Sequence, residues 1–246
     1  MNIYVLIFAV FLVAGCSREI DLKLLENKSA TEILEIGKKE MKAKKYADSV
    51  LVFEELERLH PYSKVTADAQ ILAGECNYKA KKYDEAISAF ELFIRTHPTH
   101  WNVPYALYML GLINYELMPI IERDQDATIR SFAFLNELCR RYPQSKYCKF
   151  AKILIKDLRE QIAGREVYVA RYYQLHKNYP AAANRLNTIV DNYRNTEHAP
   201  EALHRLIECY MAIGVQKEAL RVNKILQREF PKSIWAMYAR KLMRIH

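Results

Sequence analysis

Apolar residues recur along this chain at intervals of three and four, the period of helices that bury one face. Residues 67–98 show the pattern twice, in two amphipathic segments joined by a short turn. Gly74 and Ala86 are small where the two segments would meet, and Phe90 is large enough to fill the space beside them. Pro98 closes the second segment, because proline cannot donate a helical hydrogen bond. The stretch therefore predicts two antiparallel helices.

The same residue types recur 37 positions apart along the chain. The coincident sets are Gly37, Gly74 and Gly111; Tyr46 and Tyr83; Phe53 and Phe90; and Pro61 and Pro98. Their spacing is that of the tetratricopeptide repeat, a helix–turn–helix unit whose A and B helices pack antiparallel. The fold class that this predicts is all-α: a tetratricopeptide-repeat solenoid of about five repeats, with two arms joined by a long helix.

The repeat pattern divides the chain into four predicted segments. They are a lipoprotein signal peptide (residues 1–15), a lipid-anchored tether (16–29), repeats 1–3 (30–143), and a long connecting helix with repeats 4 and 5 and a C-terminal cap (144–246). Repeat 3 is eight residues longer than the period, which predicts a loop at residues 119–125 in its A–B turn. Residues 145–177 contain no proline and carry helically spaced apolar side chains, so they predict one long helix.

Residues 1–15 contain no charged side chain. Their apolar run is shorter than the ~20 residues that a membrane-spanning helix needs. The run ends in Leu12-Val13-Ala14-Gly15-Cys16, which resembles a bacterial lipobox, so Cys16 is the expected lipidation site. An ordinary secretory signal with a chance cysteine at the cut is the alternative. Ser17 stands where many bacteria read an aspartate as an inner-membrane retention mark, which favours the outer membrane.

The net charge of the chain narrows the classes of partner that it can bind. The 246 residues include 37 Lys and Arg against 29 Asp and Glu, a formal net charge of +8, but an exported, lipid-anchored chain meets no nucleic acid. Its lysines are expected on solvated helix surfaces, with attraction to anionic lipid or to an acidic partner as the functional alternative.

The sequence holds no phosphate loop, serine elbow or paired His-Glu zinc motif, so we expect no enzyme activity and no cofactor other than the covalent lipid on Cys16. His97 and His100 lack a third ligand at a useful spacing, so no metal site is expected.

Four cysteines remain beyond Cys16. Cys76 and Cys209 fall on the A helices of distant repeats and are expected to be free and buried. Cys139 and Cys148 flank a turn between antiparallel helices, which could bring them within disulfide range in an exported protein. The sequence leaves open whether these two cysteines form a disulfide.

The concave side of the repeat stack is the expected binding surface. In repeats 1–3 the concave positions of the A helices hold aromatic and aliphatic side chains, with lysines toward one end. These candidate substrate-groove residues are Leu34, Lys38, Met41, Lys42, Ile71, Tyr78, Lys79, Tyr105, Tyr108, Leu112 and Tyr115. They suit an extended peptide with aromatic side chains and an acidic end; the alternative is that some of the tyrosines pack on the inserted loop. The positions of a chaperone-tail carboxylate clamp hold Leu34, Leu72, Tyr105 and Met109, which argues against that kind of adaptor.

Three local motifs carry a closer resemblance. They are His97-Pro98-Thr99-His100 running on to Tyr108-Met109-Leu110-Gly111, Glu122-Arg123-Asp124, and Val169-Ala170-Arg171-Tyr172-Tyr173. With the lipobox and the repeats, the chain resembles the BamD (ComL/YfiO) family of outer-membrane assembly lipoproteins over essentially its whole mature length. The resemblance implies a scaffold of the β-barrel assembly machinery, lipid-anchored on the periplasmic face of the outer membrane. Its implied partners are the POTRA domain of the barrel insertase and unfolded outer-membrane β-barrel proteins.

The resemblance also implies a docking residue. The family's Asn-Arg-Val docking motif falls on Asn184-Arg185-Leu186, so Arg185 is the candidate for an ion pair with an acidic POTRA residue; a solvated arginine is the alternative. Other assembly lipoproteins stay open as partners, because the insertion in repeat 3 is short for the family and the C-terminal tail has its own sequence. Two other functions also stay open: a peptidoglycan-associated competence or cell-division lipoprotein, and a pilotin for a secretin.

Overall fold

A computed structural model describes residues 21–245 of the protein; residues 1–20, with the predicted signal peptide and Cys16, and His246 lie outside the described residues. The described range contains a short 3-10 helix, Leu22–Leu25, eleven α-helices and no strand. The α-helices are α1 Ala30–Lys42, α2 Tyr46–Leu59, α3 Thr66–Lys79, α4 Tyr83–Thr96, α5 Val103–Glu116, α6 Asp126–Arg141, α7 Lys146–Leu175, α8 Tyr179–Asn192, α9 Ala199–Ala212, α10 Gln216–Glu229 and α11 Ile234–Ile245. The all-α prediction is confirmed. None of the helices within residues 21–245 combines the length and the apolar character that crossing a membrane requires.

The chain divides into two compact units. The first ends at Lys82 and contains α1–α3, and the second begins at Tyr83 and contains α4–α11. This boundary falls in the A–B turn of predicted repeat 2, whereas the sequence places the division between two arms in the long helix. The four-segment layout therefore stays a prediction.

The A–B turns share one backbone geometry. In four of them the second residue beyond the A helix has a positive φ: Lys44 (61°), Lys81 (60°), Lys177 (58°) and Gly214 (79°). Each turn closes with a pair of hydrogen bonds back to the last helical turn, as in the 3.0 Å bond from Lys45 N–H to the carbonyl of Glu40. A positive φ costs energy for any residue with a Cβ, so three lysines occupy positions that glycine would fill without strain.

Repeat 3 departs from this turn for a covalent reason. Beyond α5 the Met118 N–H bonds to the carbonyl of Tyr115 at 3.1 Å, as in the other turns. The next residue is Pro119, which has no N–H with which to close the second bond. The chain instead runs through a loop to Gln125 before α6 begins, so the predicted insertion is confirmed.

Within repeats, a glycine on the A helix lets the B helix approach closely. A Cβ at Gly37 would lie 2.3 Å from Phe53 Cε1, and a Cβ at Gly111 would lie 2.2 Å from Leu135 Cδ2. The same glycine carbonyls accept hydrogen bonds from B-helix hydroxyls, Ser49 to Gly37 at 2.6 Å and Ser131 to Gly111 at 2.7 Å. The predicted pairing of a small residue with a large knob is therefore the contact that closes these two helix pairs.

The end of the predicted tether is part of unit 1. Asp21 caps the 3-10 helix by accepting a hydrogen bond from the Lys23 N–H, and Leu25 is buried in the core of the unit. His60 Nε2, just beyond the end of α2, lies 2.9 Å from the carbonyl of Lys28 and so holds the segment before α1 against α2. The described part of the predicted tether, residues 21–29, is thus folded onto the first repeat; residues 16–20 lie outside the described range, and the lipid-anchored tether stays a prediction.

The long helix is confirmed as one uninterrupted element of 30 residues. Ser145 caps α7 by accepting a hydrogen bond from the Tyr147 N–H at 3.2 Å, and the helix packs against α5, α6, α8 and α9. A disulfide joins Cys139 of α6 to Cys148 of α7, with Cα atoms 5.0 Å apart, which decides the alternative that the sequence left open. The other two described cysteines, Cys76 and Cys209, are free and buried, as predicted.

Candidate binding surfaces

The groove tyrosines of repeat 3 pack against the start of α7. The ring of Tyr147 lies 5.2 Å from that of Tyr105 and 5.7 Å from that of Tyr108, measured between centroids. Phe150 lies 6.3 Å from Tyr108 and keeps 52% of its surface exposed. These four rings, called the aromatic row below, form a half-exposed surface to which another aromatic side chain could add by edge or face.

Side chains of both charges belong to the helices that form the aromatic row. The ammonium of Lys146 lies 5.0 Å from the centroid of the Tyr147 ring, an inner ring of the row. Farther along α5 and α7, the Tyr115 hydroxyl donates to Asp157 Oδ2 at 3.2 Å. Burial raises the pKa of Tyr108 and of Tyr115, and the Asp157 carboxylate raises that of Tyr115 further, so both phenols stay neutral at physiological pH.

The remaining groove candidates lie in unit 1, apart from Leu112, which is half-buried on α5. Leu34 and Ile71 are only 6% and 4% exposed, so they offer almost no surface to a ligand in this structure. Lys38 is paired with Glu35 at 2.8 Å on the surface of α1. The other candidates are the half-buried Met41 and Tyr78 and the exposed Lys42 and Lys79. Because the candidates are divided between the two units, a groove that unites them stays a prediction.

The inserted loop of repeat 3 is held against α7 by hydrogen bonds. Gln161 donates to the carbonyl of Pro119 at 2.8 Å, and Arg165 donates to that of Ile121 at 3.0 Å. Inside the loop, the buried Gln125 donates to the carbonyls of Ile120 and Arg123 at 3.0 Å each. Tyr105 and Tyr108 pack on Tyr147 of α7; the alternative raised from the sequence, that some of the groove tyrosines pack on this loop, stays open.

A buried carboxylate ties α7 to α9. Glu201 accepts two hydrogen bonds from Arg171, at 2.8 and 2.6 Å, and one from Arg205 at 2.6 Å. Burial opposes ionisation of Glu201, but the hydrogen bonds from the two arginines outweigh it and hold the pKa of this carboxyl below its ordinary value. The arginines, with Gln174 and Glu208, line a cleft of about 450 Å³ between the two helices.

The candidate docking residue, Arg185, is half exposed on α8 and is already paired. Its Nη1 lies 3.4 Å from Glu166 Oε2 of α7, at the edge of a cavity of about 380 Å³ that Tyr173 and Thr188 also line. At 3.4 Å the pair is loose, and a partner carboxylate could replace Glu166 at small cost. Docking through Arg185 stays a prediction.

Among residues 21–245 no group of three His, Cys, Asp or Glu side chains is arranged to hold a metal ion. The rings of His97 and His100 lie 6.3 Å apart, and each packs on Phe93, at 5.4 and 5.3 Å. The pair therefore has an aromatic packing role at the end of α4.

Three features of these surfaces were missed from the sequence. Tyr147 and Phe150 were not assigned to the groove, although their spacing of three at the start of a helix would place them on one face. The contact of Arg171 with Glu201 joins residues 30 positions apart, so this part of the Arg171–Glu201–Arg205 network has no local signature. The packing of residues 22–25 on unit 1 was missed because leucines mix there with charged residues without a helical period.

Helix pairs with a 37-residue period, an aromatic surface between neighbouring A helices and a charged cleft between α7 and α9 define the class of helical-repeat proteins. The chain belongs to the YfiO family of outer membrane lipoproteins, whose model matches residues 26–226. This confirms the resemblance drawn from the sequence, and the family is one of assembly factors and not of enzymes.

The chain is similar to several proteins named outer membrane protein assembly factor BamD. It is 31% identical over 233 residues to the one from Caulobacter vibrioides, covering 94% of this chain and 76% of the relative. It is 30% identical over 201 residues to the one from Rickettsia prowazekii (82% and 80% covered) and 31% identical over 229 residues to the one from Neisseria meningitidis (89% and 86%). Solved structures with a similar fold include the P58(IPK) TPR domain (TM-score 0.46, 15% identity, covering 86% of this chain and 54% of that one) and the TPR protein YrrB (TM-score 0.38, 15% identity, 89% and 96%).

Proposed function

We propose that this protein is an assembly factor for outer-membrane proteins, lipid-anchored through Cys16 on the periplasmic face of the outer membrane. It would act by binding alone: unit 2 docks on the POTRA domain of the barrel insertase through Arg185, and the groove receives unfolded β-barrel proteins. The observation that carries the proposal is the family match over residues 26–226, with relatives named as assembly factors. The same observation supports this function over a peptidoglycan-associated lipoprotein or a secretin pilotin.

The aromatic row supports the substrate part of the proposal. Four rings with a lysine beside one of them suit an extended segment that carries aromatic side chains and a carboxylate, because each ring offers apolar area and the lysine offers the opposite charge. The outer face of a β-barrel strand supplies apolar side chains at every second position, with aromatic ones near the two membrane interfaces.

The docking test is the affinity of residues 17–246, which contain every described helix, for the POTRA domains of the same organism's barrel insertase. Arg185→Glu is expected to weaken binding by at least tenfold, because it places a like charge opposite an acidic partner. The matched control is Arg221→Glu on α10, which removes another exposed arginine that is paired on its own helix. Binding that survives Arg185→Glu would move the interface elsewhere. Absence of binding by the unaltered chain would redirect the work to isolated sacculi and secretin rings.

The substrate test uses a peptide from the last strand of a β-barrel protein, ending in an aromatic residue and a free carboxylate. Tyr108→Ala and Tyr147→Ala are each expected to weaken its binding about fivefold to tenfold, the range for losing one aromatic contact. Tyr78→Ala makes the same test in unit 1, and Tyr168→Ala, at an exposed site of α7 outside the row, is the control. Equal affinity in all variants would remove the groove from the mechanism without touching the docking proposal.

A further inference from the structure

The exposed side of the first half of α7 carries a group of three cations. Lys149, Lys152 and Lys156 are all exposed, and at 3.6 residues per turn they fall within about 60° of one another over ~10 Å of helix. Ile153 lies at the edge of this sector and is 64% exposed. These four residues are called the basic face below; Phe150, at the outer end of the aromatic row, lies next to it.

The charges of the basic face are not neutralised on the helix. Some exposed basic side chains of the described chain pair with an acidic residue three or four positions away, as Arg58 with Glu55 and Arg141 with Glu137. No ion pair is recorded for the three lysines among the described residues. The two acidic groups nearest to them along the helix have other partners. Asp157 accepts a hydrogen bond from the Tyr115 hydroxyl at 3.2 Å, and Glu160 accepts one from the backbone N–H of Glu197 at 2.9 Å. Three like charges kept together at a cost in self-repulsion indicate an anionic partner.

The chemistry of the basic face favours lipid over protein. Its cations are all lysines, compact charges without the fork that lets arginine bind a carboxylate in two places. Lysine is depleted from the buried parts of protein–protein interfaces, whereas clusters of lysine are attracted to anionic lipid surfaces. Ile153 and Phe150 project from the helix beside the charges, as apolar groups do that enter the head-group layer.

We propose that the basic face binds the surface of a membrane that contains anionic phospholipid. Each lysine brought to such a surface contributes about a fivefold gain in affinity, so three contribute roughly 100-fold. The attraction decays with distance from the membrane over about one Debye length. That is weak binding by itself, and it would add to a lipid anchor by orienting unit 2 against the membrane. The proposal does not depend on the assembly role.

The test is co-sedimentation of residues 17–246 with sucrose-loaded vesicles. The vesicles are pure phosphatidylcholine or phosphatidylcholine with about 30 mol % phosphatidylglycerol, at about 0.05 M and about 0.5 M salt. Binding is expected only to the anionic vesicles and only at low salt. Replacing Lys149, Lys152 and Lys156 together by Gln is expected to lower the partition coefficient by one to two orders of magnitude. Ile153→Ser is expected to lower it roughly fivefold and to leave the salt dependence unchanged.

The control is a second triple variant with the same loss of net charge, Lys39→Gln, Lys64→Gln and Lys241→Gln. These exposed lysines are distributed over α1, the α2–α3 connection and α11. The control should lower the partition coefficient less than about threefold, because scattered charges do not reach one surface together. Equal losses in the two triple variants, or no binding of the unaltered chain to anionic vesicles, would overturn the proposal. Unchanged circular dichroism and POTRA affinity in the first variant would show that its loss is local to the membrane contact.

Discussion

At the scale of single residues, the contact between Gly111 and Leu135 fixes how closely α5 and α6 approach. Leu135 is fully buried and cannot swing away, and Ser131 also bonds to the carbonyl of Gly111. Gly37 with Phe53 repeats the arrangement in unit 1. Gly164 is different, because its nearest neighbours are the far ends of the His198 and Ile121 side chains at 2.9 and 3.0 Å.

We predict that Gly111→Ala destabilises unit 2 by about 1–3 kcal/mol, the usual cost of forcing a methyl group into a close-packed contact. The gain of about 1 kcal/mol that alanine brings to a helix interior is too small to offset it. In Gly164→Ala the alanine brings the same gain in helix propensity, and the neighbouring ends of the His198 and Ile121 side chains can move to make room for the methyl group. The net change in the free energy of unfolding should therefore stay within about 1 kcal/mol. Urea denaturation followed by circular dichroism measures both variants. Equal effects would mean that helix propensity, and not the contact with Leu135, decides at these positions.

At the scale of elements, α7 is fastened at its start to α6 by the Cys139–Cys148 disulfide. The bridge lies next to Tyr147, so it holds the first turn of α7, on which half of the aromatic row depends.

The A–B turns show how single residues determine the connection between two helices. The turns after α1, α3, α7 and α9 close with the same hydrogen bonds, whereas after α5 Pro119 cannot donate the second bond and an inserted loop follows.

The number of reactive thiols in residues 17–246 tests the disulfide between Cys139 and Cys148. We expect essentially no reactive thiol in the native protein, because Cys76 and Cys209 are buried; burial raises the pKa of both thiols, that of Cys209 to about 11. Denaturation without reductant should release two thiols, and denaturation with reductant should release four. Four thiols without reductant would contradict the disulfide. The variant Cys139→Ser/Cys148→Ser should lose about 2–3 kcal/mol of stability, as expected for closing a short loop.

At the scale of the whole molecule, buried charge couples stability to pH. The pKa of Glu201 is lowered in the folded state, so its ion pairs stabilise the protein above the ordinary carboxyl pKa and lose this effect as the pH falls through that range. Because Arg171 and Arg205 belong to different helices, protonation of one carboxyl loosens α7 from α9.

We predict that Glu201→Gln lowers the stability of unit 2 by about 2–3 kcal/mol at neutral pH, less than the 3–5 kcal/mol of a fully buried pair because Arg171 is half exposed. Between about pH 5 and pH 3 the variant should lose less stability than the unaltered chain, since it has no carboxyl to protonate there. Urea titrations across this range measure the difference. Glu218→Gln, at an exposed pair on α10, should change stability by less than about 0.5 kcal/mol. Parallel acid profiles for Glu201→Gln and the unaltered chain would exclude the coupling.

What the sequence determined by itself is periodic or local. The 37-residue period predicted the helix pairs, Pro119 and the added length predicted the loop of repeat 3, and the proline-free stretch predicted α7, because each depends on residues a few turns apart. The tertiary structure alone decided which distant side chains meet: Tyr147 beside Tyr105 and Tyr108, Glu201 between two arginines, and Leu25 in the core of unit 1. Such contacts depend on how helices pack across neighbouring repeats. The pattern along one helix predicts on which side of that helix a residue lies, but it does not predict which distant residue that side contacts.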